Sequence, residues 1–324
     1  MPVFDGADYL AAAIASVLQQ TYTHFELIVV DDGSTDASAD IVRGLPDSRI
    51  SLIVLDHGGA GRARNAGIAK SRGRYIAFMD ADDIALPDRL EVQLAYIQRT
   101  GVEICGGCAK EFGAASRVYW CPETHQTIVN DLLFRCALLV PAIVMRADIA
   151  RENPFDERSM AEDYELWTRL ALRYRMANVQ QVLFKYRSHK KQRHVSGRHE
   201  FASEMRRIRT RYFQALFPEA DSEEYAAFER AVENGAARNL VDLERTGHWL
   251  VRLADVRDKF FRDFLGRRWL HSCRLAAPLG HGAYRIYRQY APQFGPVSAG
   301  RKLRLEMICA LRLGPRRASV SPAV

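Results

Sequence analysis

Along the first hundred residues, short apolar runs alternate with segments whose apolar positions recur every three or four residues. Tyr9, Leu10, Ile14, Val17 and Leu18 follow helical spacing as far as Gln20. Residues 26–30, 50–55 and 75–80 are compact apolar runs of strand length. Helical patterns follow each of them, ending at Arg43, covering 62–70 and covering 87–99. Strands alternating with helices at this spacing predict βαβ units and a mainly parallel sheet flanked by helices, an α/β fold. Further strands are expected over 102–118 and 137–146, with a helix over 127–135 between them. A helix over 160–172 places Leu166, Trp167, Leu170 and Ala171 on one face. From residue 198 onward the pattern is helical throughout, with helices over 200–217 and 222–245 and shorter ones to 312. The stripe Tyr225, Phe228, Val232 and Ala236 reads as core. The expected organisation is an α/β domain over 1–197 and a helical region over 198–324, with a disordered end at 318–324.

Two of the predicted strands end on acids. One runs into Asp31-Asp32-Gly33-Ser34-Thr35-Asp36, and the other into Asp80-Ala81-Asp82-Asp83. On extended backbone Asp80 and Asp82 share a face while Asp83 points away. Paired carboxylates at the open end of a strand suit a hard divalent cation that shares its oxygen ligands with a substrate diphosphate. Taken alone, the same acids serve equally well to cap the helices that follow. In open α/β sheets, ligands sit at the carboxyl ends of the strands, so both acid clusters are expected to line one crevice. Glu162 and Asp163 fall at a predicted helix N-terminus, where the helix dipole alone would favour them.

Charge changes this picture in the second half. Residues 1–150 hold 13 basic and 19 acidic side chains, whereas 151–324 hold 33 and 20. Residues 251–324 alone hold 15 basic and 4 acidic side chains, interleaved with Phe260, Phe261, Phe264, Trp269, Tyr284, Tyr287 and Tyr290. Such helices suit an anionic partner, either a membrane surface or nucleic acid. The composition, 48% hydrophobic and 26% charged, is that of an ordinary globular protein. The longest uncharged apolar run, 136–145, falls far short of the ~18 residues needed to cross a bilayer. No secretory leader opens the sequence, so a cytoplasmic protein is expected. Six cysteines fit a reducing compartment, and the Cys105-Gly-Gly-Cys108 pair, on a predicted strand, points its thiols apart rather than at one zinc ion.

Taken in order, these segments resemble the family 2 inverting glycosyltransferases of GT-A fold, over residues 1–195. Pro2-Val3-Phe4 with Tyr9-Leu10 is similar to the family's opening motif, with Asp5 in place of Asn. The stretch 20–36 is similar to its first nucleotide-binding segment, and Gly59-Ala60-Gly61 with Ala63-Arg64-Asn65-Ala66-Gly67 to its next helix start. Asp80-Ala81-Asp82 matches the D-x-D motif, and Phe155-Asp156-Glu157 followed by Glu162-Asp163 the late E-D motif. The resemblance implies that Phe4, Asp31, Asp32, Arg64 and Asp80 bind the donor nucleotide. It implies that Asp82 binds a divalent metal, Mn2+ or Mg2+, and that Asp163 is the general base. Tyr186-Arg187-Ser188-His189 looks like the segment closing the site. His189 there would ligate metal or touch the diphosphate; the stretch 185–194 equally suits a basic solvated loop.

The implied activity is transfer of a single sugar from a nucleotide sugar, UDP-sugar first and dTDP- or GDP-sugar next. The acceptor would be a saccharide or a lipid-linked saccharide, in cell-surface polysaccharide synthesis. The basic C-terminal region would then contact the anionic inner face of the membrane, and no nucleic-acid partner is expected. Processive members' Q-x-x-R-W motif is missing. Members also carry an apolar strand before the opening motif, where this sequence has only Met1, so the first strand is expected to be missing. That raises a second reading, a truncated non-catalytic remnant that binds nucleotide or a membrane partner.

Overall fold

The computed structural model describes residues 1–113, 116–189, 198–233, 235–255 and 259–313. The chain divides into two compact units, Met1–Leu216 and Phe217–Val324. The first unit runs β1 (Pro2–Val3), α1 (Ala7–Leu18), β2 (Leu27–Asp31), α2 (Ser38–Arg43), β3 (Ile50–Val54), α3 (Ala60–Lys70), β4 (Tyr75–Ala77), β5 (Ile84–Ala85) and α4 (Arg89–Thr100). It continues with β6 (Ile104–Gly113), β7 (Val118–Tyr119), α5 (His125–Asp131), β8 (Val144–Arg146), α6 (Ala147–Glu152), α7 (Glu162–Leu170), β9 (Met176–Ser188) and α8 (Arg198–Leu216).

Strands β1, β2 and β3 form a three-stranded parallel sheet. All five residues of β2 are buried, which is why 27–30 is an unbroken apolar run before Asp31. Leu10 and Ile14 of α1 pack on one face with Val29 and Val42, and Ala63 of α3 packs on the other with Ile28 and Val30. The two-residue β1 lies within the opening motif itself. Residues 2 and 3 pair with Val30 and Asp31, the Met1 carbonyl accepts from Val30 N, and the Met1 nitrogen donates to Ile28 O.

The second sheet has six strands in the order β4-β8-β6-β9-β5, with β7 paired to β6. Only β6 and β9 are parallel in it, so the expectation of a mainly parallel sheet fails for this half. The strand–helix alternation that demands parallel pairing stops after α4. Residues 176–188, to which the sequence pattern assigns no strand, form the longest strand of the fold. The strand expected over 137–146 exists only at β8. Pro141 lies in a 3-10 turn, and the carbonyls before β8 bond to α4 side chains instead of a ladder. Gln93 donates to the carbonyls of Cys105 at 2.9 Å and Ala142 at 2.6 Å, and Arg89 donates to Phe78 O at 2.7 Å. Both side chains are buried, and burial pushes the Arg89 guanidinium down to about 10.

The first unit extends past residue 197 to include α8. Glu204 accepts from Ser159 Oγ and Met160 N, and Tyr212 donates to Val129 O, which ties α8 to the segment leading into α7. The second unit contains α9 (Ser222–Val232), α10 (Leu240–Ala254), α11 (Lys259–Leu275), α12 (His281–Tyr290) and α13 (Ala299–Ala310). The single helix expected over 222–245 is two, because Asn239 caps α10 by accepting from Asp242 N. Phe228 and Val232 of the predicted stripe are buried, with Phe228 edge-on to Trp249. Residues 318–324 lie outside the described residues.

Gln93→Ala strands two buried carbonyls and one partner of Arg89. It should lower the unfolding free energy by about 2–4 kcal/mol in urea titration, with the m-value unchanged.

Candidate active site

The two acidic strand ends hold different positions in the fold. The carboxylates of Asp31 and Asp32 are used internally. Asp31 accepts from Ser34 N at 2.8 Å, and the buried Asp32 accepts from Gly58 N at 3.0 Å and Gly59 N at 2.8 Å, with His57 Nδ1 3.0 Å away. Gly33, at φ +77°, makes the turn that allows this, and a Cβ there would meet His57 N at 2.7 Å. Asp5 at φ 46° accepts from Thr35 N, and Ser34, Asp36 and Ser38 accept from the amides of residues 5–7, so the opening loop and the acidic turn form one knot. Asp32 therefore supports the loop that presents His57. The ring of His57 lies 4.1 Å from the exposed Phe4 ring, tilted by 31°.

The second cluster faces outward from the end of β4. Arg64, on α3, donates to Asp80 Oδ1 at 2.9 Å and to Glu162 Oε1 at 2.9 Å, with its own side chain only 8% exposed. The Phe155 ring lies 5.5 Å from its guanidinium. This fork joins the strand end to the N-terminus of α7. The next residue of α7, Asp163, has its carboxyl pushed up to about 6, first by burial and then by the neighbouring Glu162, against the pull of Arg64. The Cys136 thiol reaches to 3.9 Å from Asp163 Oδ2.

Asp82 Oδ2 lies 3.0 Å from His189 Nε2. Its carboxyl is raised above the ordinary range by burial and then by Asp80, with His189 opposing. Asp83 is buried; it accepts from Arg187 N at 2.8 Å, and burial followed by the charges of Asp80 and Asp82 drives its carboxyl well up. Arg187 donates to Asp82 O at 2.7 Å and lies between the rings of Tyr9 and Phe112, 4.5 and 4.4 Å from their centres. Of the stretch 185–194, residues beyond His189 lie outside those described. Residues 185–188 belong to β9 rather than to a solvated loop.

Residues 1–148 match the family described as Glycosyl transferase family 2. That segment, a little under half of the chain, is a glycosyl transferase family 2 segment. It is 34% identical over 169 residues to the UDP-Glc:alpha-D-GlcNAc-diphosphoundecaprenol beta-1,3-glucosyltransferase WfgD of Escherichia coli, covering 52% of this chain and 66% of that protein. It is 30% identical over 207 residues to an uncharacterized glycosyltransferase of Rickettsia prowazekii, covering 58% and 63%. The chain thus spans a little under two thirds of the length of these relatives. Among solved structures it resembles Staphylococcus aureus TarS 1-349 in complex with UDP-GlcNAc, at TM-score 0.58 and 18% identity, over 94% of this chain and 89% of that one. It also resembles the mannosyltransferase PcManGT from Pyrobaculum calidifontis in complex with GDP-Man and Mn2+, at TM-score 0.51 and 16% identity, over 96% and 84%. These likenesses establish the GT-A fold.

Asp80, Asp82, His189 and Arg64 converge, and Asp163 follows Glu162 on α7. Phe4 and Asp32 lie beside His57, whereas Asp31 holds Ser34. Sequence reasoning missed His57 and the Glu162 end of the Arg64 fork. His57 had a local signal, since it precedes the glycine loop at 58–59. The Arg64–Glu162 pair, 98 positions apart, had none.

Arg64→Leu leaves two carboxylates facing each other without their cation. Loss of a buried ion partner should cost about 3–5 kcal/mol at neutral pH. With Arg64 gone, carbon NMR titration of the Asp163 carboxyl should give a midpoint above about 6.

Proposed function

We propose that the chain transfers a single sugar from a nucleotide sugar, UDP-sugar first, to a hydroxyl of a saccharide or lipid-linked acceptor, with inversion, in cell-surface polysaccharide synthesis. The observation that carries this reading is the Arg64 fork, which ties the Asp80 strand end to the helix bearing Asp163. The family 2 match of residues 1–148 and the UDP-sugar named for WfgD and TarS support the donor class.

On this reading Phe4 and His57 offer the aromatic surface for the base, and Asp80 accepts from the ribose hydroxyls while Arg64 holds it in place. Asp82 and His189 are the two residues that would hold a divalent cation: a carboxylate oxygen and an imidazole nitrogen suit Mn2+, and in this structure they are hydrogen-bonded to each other at 3.0 Å. Among the described residues no group of three or more such side chains gathers, so the remaining ligands would come from substrate and water. The carboxyls of Asp82 and Asp83 are raised first by burial and then by the neighbouring acids, and a cation would relieve the second of these. When bound, such an ion supplies Lewis-acid stabilisation to the departing diphosphate. Asp163 takes the proton from the acceptor hydroxyl as it attacks the anomeric carbon from the face opposite the diphosphate, which inverts that centre. A carboxyl held near 6 is a stronger base than an ordinary one, yet still ionised at neutral pH.

We also propose that α13 carries the membrane contact. Leu303, Met307 and Leu311, spaced at i, i+4 and i+8, are 67%, 54% and 61% exposed, and Arg301, Lys302, Arg304 and Arg312 accompany them. An apolar ridge flanked by cations complements an anionic bilayer. Among the described residues no helix is long and apolar enough to cross a membrane.

Three outcomes are expected. The melting temperature should rise with UDP only when Mn2+ is present, and Asp82→Ala should abolish the rise; no rise with UDP, dTDP or GDP would overturn the donor site. Asp163→Asn should cut turnover about 10²–10⁴-fold, and the wild-type rate should climb with pH and level off above about 6. Because the folded-state value is raised, ionised Asp163 opposes folding once the pH passes through that window, so Asp163→Asn should melt higher than wild type at pH 8 and not at pH 4. Finally, Leu303→Asp/Met307→Asp should lose most sedimentation with phosphatidylglycerol vesicles while keeping the UDP response.

A further inference from the structure

Beside the proposed donor end lies a cleft of about 640 Å³ lined by Ile84, Lys110, Glu111, Phe112, Gly113, Ser116 and Lys185. We propose that this cleft binds a phosphate group of the acceptor through Lys110 and Lys185, an inference that rests on the glycosyltransferase reading above.

The two lysines are direct partners across the parallel β6–β9 pair, so both side chains leave the sheet on the same face. Ile84 is opposite Lys185 on β5 and completes the row. Like charges placed directly opposite each other destabilise a sheet. Both lysines are exposed, and among the described residues neither has an ion-pair partner. The one acid of the lining, Glu111, is buried and already engaged: it accepts from Tyr119 Oη at 2.8 Å and Arg117 Nε at 2.9 Å. Two residues further along the same face is Arg187, held between Tyr9 and Phe112. Lys110, Lys185 and Arg187 thus form a cationic strip along the carboxyl ends of two parallel strands, where α/β folds place ligands. Ile84 directly follows Asp83, and His189 follows Lys185 by four residues, about 13 Å of strand. The strip is therefore continuous with the Asp82–His189 pair but separate from it. A saccharide carrying a phosphate, whether esterified to a lipid or free, has the charge to bridge the lysine pair.

The test uses the full chain saturated with UDP and Mn2+, so that the donor end is filled. Inorganic phosphate and hexyl phosphate are titrated separately into wild type and into Lys110→Gln/Lys185→Gln. Wild type should bind at least one probe, and the double variant should bind it about tenfold more weakly, as expected for loss of charge-assisted contacts. Tighter binding of hexyl phosphate assigns a lipid-linked source, and equal binding a soluble phosphorylated one. Equal affinity in the two proteins, or no binding to wild type, overturns the proposal. The variant removes a like-charge pair, so it should melt no lower than wild type; Lys185→Gln alone serves if it does. The melting response to UDP and Mn2+, read first on both proteins, separates the failures. If it is absent, the glycosyltransferase reading falls and takes this proposal with it; if it is present and the probes do not discriminate, only this proposal falls.

Discussion

The site depends on one buried guanidinium. Arg64 reaches from α3 to Asp80 at the end of β4 and to Glu162 at the start of α7, each at 2.9 Å. Breaking a buried ion pair leaves an uncompensated charge at high cost, so these three elements are locked into one relative position. Everything downstream follows from that lock. Asp163 is held where burial and Glu162 raise its carboxyl, and Arg64 limits how far.

Negative charge is unevenly satisfied around this lock. Asp31 and Asp32 bond to backbone amides and hold the glycine loop, so their charge is answered inside the fold. Asp83 is buried and Asp82 half-buried beside Asp80, with His189 set against Asp82 and Arg187 against Asp83. The same residue type therefore holds a backbone turn at one strand end and gathers beside cationic side chains at the other. The difference lies in which amides the local turn can offer.

The lysine strip extends this division of charge. On one side of β5 the acids of 80–83 call for a cation; along β9, Lys185 and Arg187 call for an anion. Lys185 and Arg187 are two residues apart on β9, so the pleat sends them to one face, and Arg187 links that row to the acids through Asp82 O.

The sequence alone determined the α/β character of the first half, the two acidic strand ends and the resemblance to family 2, and it singled out Asp80, Asp82 and Asp163 as candidates, because these rest on local periodicity and on motifs within a few residues. The helices up to α4 were legible for the same reason. Tertiary structure alone decided the mixed second sheet, the strand at Met176–Ser188, the break between α9 and α10, and the pairing of residues up to 107 positions apart in Arg64–Glu162 and Asp82–His189. It also decided that Asp32 serves the glycine loop, and that two unremarkable lysines 75 positions apart stand face to face. Strand register and buried ion pairing are long-range properties: they depend on which backbone groups and charges the packed chain brings together, and no local pattern encodes that.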